Sequence, residues 1–339
     1  MKNIFAQKIG LLLTIAAIAL WVPSFVHGQT ETQPSQHPAA QAPVVSVLPS
    51  KTIWKFGIQL SGSGNTRNAQ VTFPLPVEWD NEQAIDVINI DASDNVNGAK
   101  IKKLPNNASQ MFFKVPRLTS GETAHVFVTI EIAKMASEVP EDTSVFVFGK
   151  ARGRALRSYL TPSPFIESSD KRIKELAEAL PIDESAPAWD QVETIYDWVR
   201  ENIQYEFDTQ IKSCLWALDN GKGDCEELSS MFIALCRARG IPARAVWIPD
   251  HTYPEFYLED ADGNGHWFPC QAAGSYAFGH MPEIKPILQK GDKFKVKNFP
   301  EPQRYIQPTL KAVGAAPAWQ WHMTQVEDQP SQSEGSNDR

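Results

Sequence analysis

GKGDCEELSSMFIALCRARGIPARAVWIPD, residues 221 to 250, runs directly into HTYPEFY, residues 251 to 257. Its apolar residues recur as Cys225, Leu228, Phe232, Leu235 and Cys236, the i, i+3, i+7, i+10, i+11 spacing of one helix face. Gly240-Ile241-Pro242 stops the run, and Gly221, Gly223 and Asp224 supply a turn before it. Cys225 is therefore predicted at the first turn of a helix. A thiol placed there meets the positive end of the helix dipole and unpaired backbone N–H groups, which lower its pKa and offer donors to a developing oxyanion. A packed core cysteine has the same spacing, because free cysteine is among the most buried residue types.

The flanking motifs weigh in favour of chemistry. GDC at the helix start is followed by ALCRARGIPARAV and then by a strand-like run in which His251, Tyr253, Glu255 and Tyr257 alternate. TIYDWVRENIQY (194 to 205) precedes this block and GHWFPCQAAG (265 to 274) follows it. In this order the motifs resemble the transglutaminase-like superfamily over residues 190 to 275.

The resemblance implies a papain-like core of helices packed on an antiparallel sheet, with a cysteine nucleophile and a histidine base. Cys225 and His251 occupy those positions; His266 and His280 are rivals outside the motif. In the family the third member is usually an aspartate four residues after the strand tryptophan. Counting from Trp267, that position holds Gln271. A neutral amide can accept the imidazole N–H, as an asparagine does in papain-like proteases, but it cannot balance the imidazolium charge. Asp260 and Asp262 stand nearby in EDADGNG, where a hairpin turn explains them.

The chemistry implied is acyl transfer or hydrolysis at a carboxamide or peptide bond through a cysteine thioester, on a protein or peptide substrate. No cofactor and no metal ligand set is called for. Loss of the aspartate is equally the mark of a catalytically inactive peptide-binding or protein-binding module, which is the alternative reading.

Around this core the chain divides by composition. At 339 residues and 42% hydrophobic it can bury more than one core. Residues 1–28 carry Lys2 and Lys8, an apolar run from Ile9 to Val22, Pro23 and a closing Gly28, the order of a cleavable signal peptide. Export to a periplasmic or extracellular space follows, as for a bacterial-type exported protein, with no integral membrane segment after cleavage. Losing two lysines and no acids moves the formal net charge from −8 to −10, which argues against nucleic acid as a partner. Residues 29–49 read as a flexible linker.

From 50 to 160 the pattern has period two, in Trp54, Phe56, Ile58, Leu60, in Val71, Phe73, Leu75, and in Val126, Val128, Ile130, Ile132, with Val145 and Val147 as a last strand. This predicts an immunoglobulin-like β-sandwich. Helical periods at Ile173, Leu176, Ala177, Leu180 (capped at Ser168 or Ser169) and at Val192, Ile195, Trp198, Val199 open the second domain, 161–312, giving an α+β chain overall. A strand is expected between Lys285 and Lys311, and 313–339 is expected to be a disordered tail. Export would permit disulfides, with Cys214 and Cys270 the one pairing to consider.

Overall fold

The computed structural model describes residues 49–150, 153–296 and 299–326. The expected leader (1–28), all but the last residue of the linker (29–49) and the end of the tail (327–339) lie outside the described residues. No helix among the described residues is long and apolar enough to cross a membrane.

Six strands come first: β1 (Ser50–Ser61), β2 (Thr66–Leu75), β3 (Gln83–Ala92), β4 (Asn97–Leu104), β5 (Ala108–Leu118) and β6 (Thr123–Lys134). Helices α1 (Arg154–Ser158), α2 (Lys171–Ala179) and α3 (Ala188–Asn202) follow, then β7 (Gln204–Tyr205), α4 (Cys214–Asn220), β8 (Lys222–Gly223) and α5 (Cys225–Ala238). The chain continues through β9 (Ala243–Ile248), β10 (His251–Glu259), β11 (Gly265–Pro269) and β12 (Gln289–Lys290) to β13 (Thr309–Gly314) and β14 (Ala318–Val326). This is a mixed α+β fold whose three four-stranded sheets pair antiparallel.

Period two decides the N-terminal part. Trp54, Phe56, Ile58 and Leu60 of β1 and Val126, Val128, Ile130 and Ile132 of β6 point inward from one sheet, ordered β14-β1-β6-β3. Val71, Phe73, Met111, Phe113 and Val115 meet them from the other, ordered β13-β2-β5-β4. The two sheets share one apolar core, the arrangement a sandwich requires. Each such side chain stabilises the fold by about 1.5–3 kcal/mol when fully buried.

Two expectations fail here. Residues 313–326, expected to be part of a structureless tail, complete both sheets: β13 pairs with β2, and β14 with β1 from Ile53↔Val326 to Ser61↔Ala318. Trp321 and Met323 pack against the shared core, so polar composition masked an alternating edge strand. Val145 and Val147 are exposed, and only an isolated bridge, Val147↔Glu259, forms there. The inward side chain is Phe146, which stacks edge-on with Phe268.

In the second part α5 is the hub. It packs against α2, α3 and α4 on its flanks and against β9 and β10 beneath. Residues 227 to 237 are all buried, so the helix is enclosed on every side and not on the predicted stripe alone. The sheet beneath runs β11-β10-β9-β12. Helix α2 is capped by Asp170, whose side chain accepts from Arg172 N, in place of the expected serines. Of the strand expected over 285 to 311, the described residues form the two-residue β12 and the start of β13.

Candidate active site

The N-terminus of α5 is tied down by its own sequence. Gly221 ends α4 in the left-handed region at φ 64°, which glycine adopts without strain. A Cβ on Gly223 would stand 2.4 Å from Glu227 Cβ, so only glycine lets the Glu227 side chain fold back. Glu227 uses that space to complete a capping box: its Oε2 accepts from Asp224 N at 3.0 Å, while Asp224 Oδ1 accepts from Glu226 N at 2.8 Å. Glu227 Oε1 also accepts from Lys212 N at 2.6 Å, fixing the preceding loop.

Cys225 is the first residue of this helix and half-buried. Its sulfur faces the backbone N–H of Thr252, the residue after His251. One turn on, Ser229 Oγ donates to Thr252 O at 3.2 Å. The start of α5 and the start of β10 are therefore brought together as expected.

The expected low thiol pKa is not found. Burial pushes the Cys225 thiol up to about 12, the Thr252 N–H pulls against it, and Asp224, Glu226 and Glu227 add to the rise. The capping acids that favour the helix oppose a thiolate at its start.

His251 is also largely buried. Burial lowers its pKa below 6.5; Glu283 raises it, Lys285 lowers it and Asp224 raises it. The net effect leaves a neutral imidazole near pH 7, able to take a proton. Among the described residues His251 Nε2 has no hydrogen-bond partner, and Glu283 Oε1 is 3.8 Å away, an ion-pair distance.

Gln271 lies two residues beyond β11, buried, with its Nε2 donating to Ser275 Oγ at 3.0 Å. Its Oε1 has no partner among the described residues, so no hydrogen bond joins it to His251. The Gln271 backbone oxygen accepts from Tyr196 Oη at 2.9 Å and from Arg200 at 2.8 Å, which anchors this corner to α3. Asp260 is occupied by His266, 2.9 Å away, and by the N–H groups of Asp262 and Asn264, as befits a turn former.

Glu255, the acid of the strand motif, has a structural task. It is fully enclosed with Arg244 at 2.7 Å and Lys290 at 2.6 Å, and Lys290 reaches Glu82 of the N-terminal sheets as well. Burial opposes its ionisation, and Arg244 and Lys290 overcome that, holding it at about 2. All four cysteines are free, so Cys214 and Cys270 do not pair. Cys214 instead donates to Glu167 Oε2 at 3.0 Å. Among the described residues no three His, Cys, Asp or Glu side chains are grouped to hold a metal ion.

Glu283 is the residue near the site that sequence reasoning missed. It lies in MPEIKP, between two prolines in an irregular segment with no period and no motif.

Residues 174–272 match the family described as the transglutaminase-like superfamily, so this part of the chain is a transglutaminase-like core. The crystal structure of a proposed cysteine protease from Cytophaga hutchinsonii superposes with a TM-score of 0.53 at 14% identity, covering 82% of this chain and 92% of that one. At that identity the likeness concerns the fold alone. A proposed protease from Parabacteroides distasonis aligns with 66% of this chain and 46% of its own at 12% identity; its TM-score of 0.28 carries no argument. A search of curated proteins finds no match.

Proposed function

We propose that the protein is a cysteine enzyme that transfers or hydrolyses an acyl group at a carboxamide or peptide bond. One observation carries the reading: the Cys225 thiol opens a capped helix and faces the Thr252 N–H beside His251. Because thiol and imidazole are both neutral at rest, His251 takes the Cys225 proton as the sulfur attacks the carbonyl carbon. The imidazolium then protonates the departing amine, leaving a thioester for water or an amine to open. Gln271 holds the family's acid position, and its buried carbonyl oxygen, which makes no bond to His251, is left free to accept one. A peptide substrate and export, with the mature chain starting at Gln29, belong to the same reading; the likeness to a proposed cysteine protease supports the former.

A second reading, an inactive peptide-binding module, is favoured by the raised thiol and by the missing Gln271–His251 bond. Iodoacetamide separates the two. An activated Cys225 is alkylated rapidly near neutral pH, Cys225→Ala abolishes the rapid phase, and Cys236→Ala, deep in the core, leaves it intact. Labelling at an ordinary thiol rate, or equal labelling of Cys225→Ala, decides for the binding module.

A further inference from the structure

A neutral cysteine and histidine that react by proton transfer create a charge that was absent at rest, and Gln271 cannot balance it. The segment after the β11 corner supplies an acid. Met281 and Ile287 of this segment pack with Val246, Ile248 and Tyr253, on the side of the sheet away from α5. Between them Glu283 directs one carboxylate oxygen to within 3.8 Å of His251 Nε2, while the other lies 3.2 Å from Lys285 Nζ.

The segment has no secondary structure of its own there, and the N-terminal sheets hold it. Ser137 Oγ accepts from Met281 N at 2.6 Å. Lys134 Nζ, at the end of β6, donates to Glu283 O at 3.3 Å and to Lys285 O at 3.1 Å. Gln83, at the start of β3, accepts from Ile287 N at 2.7 Å through Oε1 and donates to Ile287 O at 2.9 Å through Nε2. Lys134 and Gln83 are buried, so these bonds exchange little with water and fix the backbone on both sides of Glu283.

We propose that Glu283 is the positioning acid of the site: its carboxylate sets the His251 ring and balances the imidazolium, and the N-terminal sheets hold it there through Gln83, Lys134 and Ser137. This rests on the reading of Cys225 and His251 as nucleophile and base. The step balances without a proton on Glu283: the proton passes from Cys225 Sγ to His251 and on to the leaving amine, and none is transferred to or from Glu283. The groups that set the His251 charge are Glu283 and Lys285 from this segment and Asp224 from the cap of α5.

Two measurements on the full chain test this: the His251 titration by heteronuclear NMR of the imidazole, and the pH dependence of Cys225 alkylation. In Glu283→Gln the His251 midpoint moves down by about one pH unit, because an attractive charge within ion-pair range is lost. Alkylation near neutral pH slows roughly tenfold, since the thiolate–imidazolium pair is less favoured. Glu283→Asp recovers part of both, and Lys285→Met moves the midpoint upward. An unchanged midpoint and rate in Glu283→Gln, with the melting temperature retained, overturns the proposal. Failure of the underlying reading looks different: Cys225 of the unsubstituted protein reacts as an ordinary thiol while His251 still responds to Glu283.

Discussion

Ser229, one helical turn past Cys225, donates its hydroxyl to the carbonyl oxygen of Thr252, the residue after His251, at 3.2 Å. Both groups are buried, so this bond sets how the start of α5 lies on the start of β10. Ser229→Ala leaves the Thr252 carbonyl without its side-chain donor and is expected to cost about 1–2 kcal/mol. Thermal unfolding measures that loss. Cys225 alkylation in the same variant is expected to slow several-fold, and a stable variant with unchanged alkylation would show that the bond does not set the geometry.

Acid stability is expected to depend on Glu255. Its folded pKa of about 2 lies below the ordinary 4.5, so its contribution is present above pH 4.5 and is lost as pH falls toward 2. Linkage puts this at on the order of 3 kcal/mol. Glu255→Gln should be destabilised at neutral pH by a similar amount, because Arg244 and Lys290 are left buried without their shared carboxylate. Its stability should also be flatter between pH 4.5 and 2 than that of the unsubstituted chain. Denaturant midpoints across that range give the comparison.

What the sequence makes legible is what periodicity and local motifs encode. The helix from Cys225 and the inward rows of β1 and β6 follow from spacing alone. The thiol's environment does not, because its raised pKa comes from enclosure by elements far apart in the chain and from the acids of its own cap. Glu283 is hidden for the same reason: its placement depends on Lys134 and Gln83, 149 and 204 residues away from their partners. Strand β14 is missed because an edge strand needs only one apolar row, and its exposed row of Gln and Thr reads as a tail.

That last strand yields a prediction about folding. Truncation after Pro308 removes β13 and β14, which pair along β2 and β1 and bring Trp321 and Met323 onto the core. Two long strands then become bare edges beside exposed apolar side chains. The truncated chain is expected to be insoluble or to melt well below the full chain, and a soluble product of unchanged melting temperature would contradict the role assigned to the C-terminal strands.

Gln271 and Glu283 are expected to differ in kind when substituted. The amide carries no charge, so Gln271→Ala removes only an acceptor at the family's acid position, and with it the hydrogen bond to Ser275. Acylation should slow on the order of tenfold or more if that carbonyl holds the imidazole tautomer in the reacting complex, while the acid limb of the pH–rate curve stays in place. Gln271→Asp instead adds a carboxylate. A second negative charge near His251 raises its pKa, so the acid limb moves to higher pH, the reverse of the Glu283→Gln shift. The limb reports the thiolate–imidazolium pair as a unit, and the comparison is therefore between apparent values. If Gln271→Ala leaves both rate and limb unchanged, the third position of the family pattern is empty of function in this chain, and Glu283 alone orients the base.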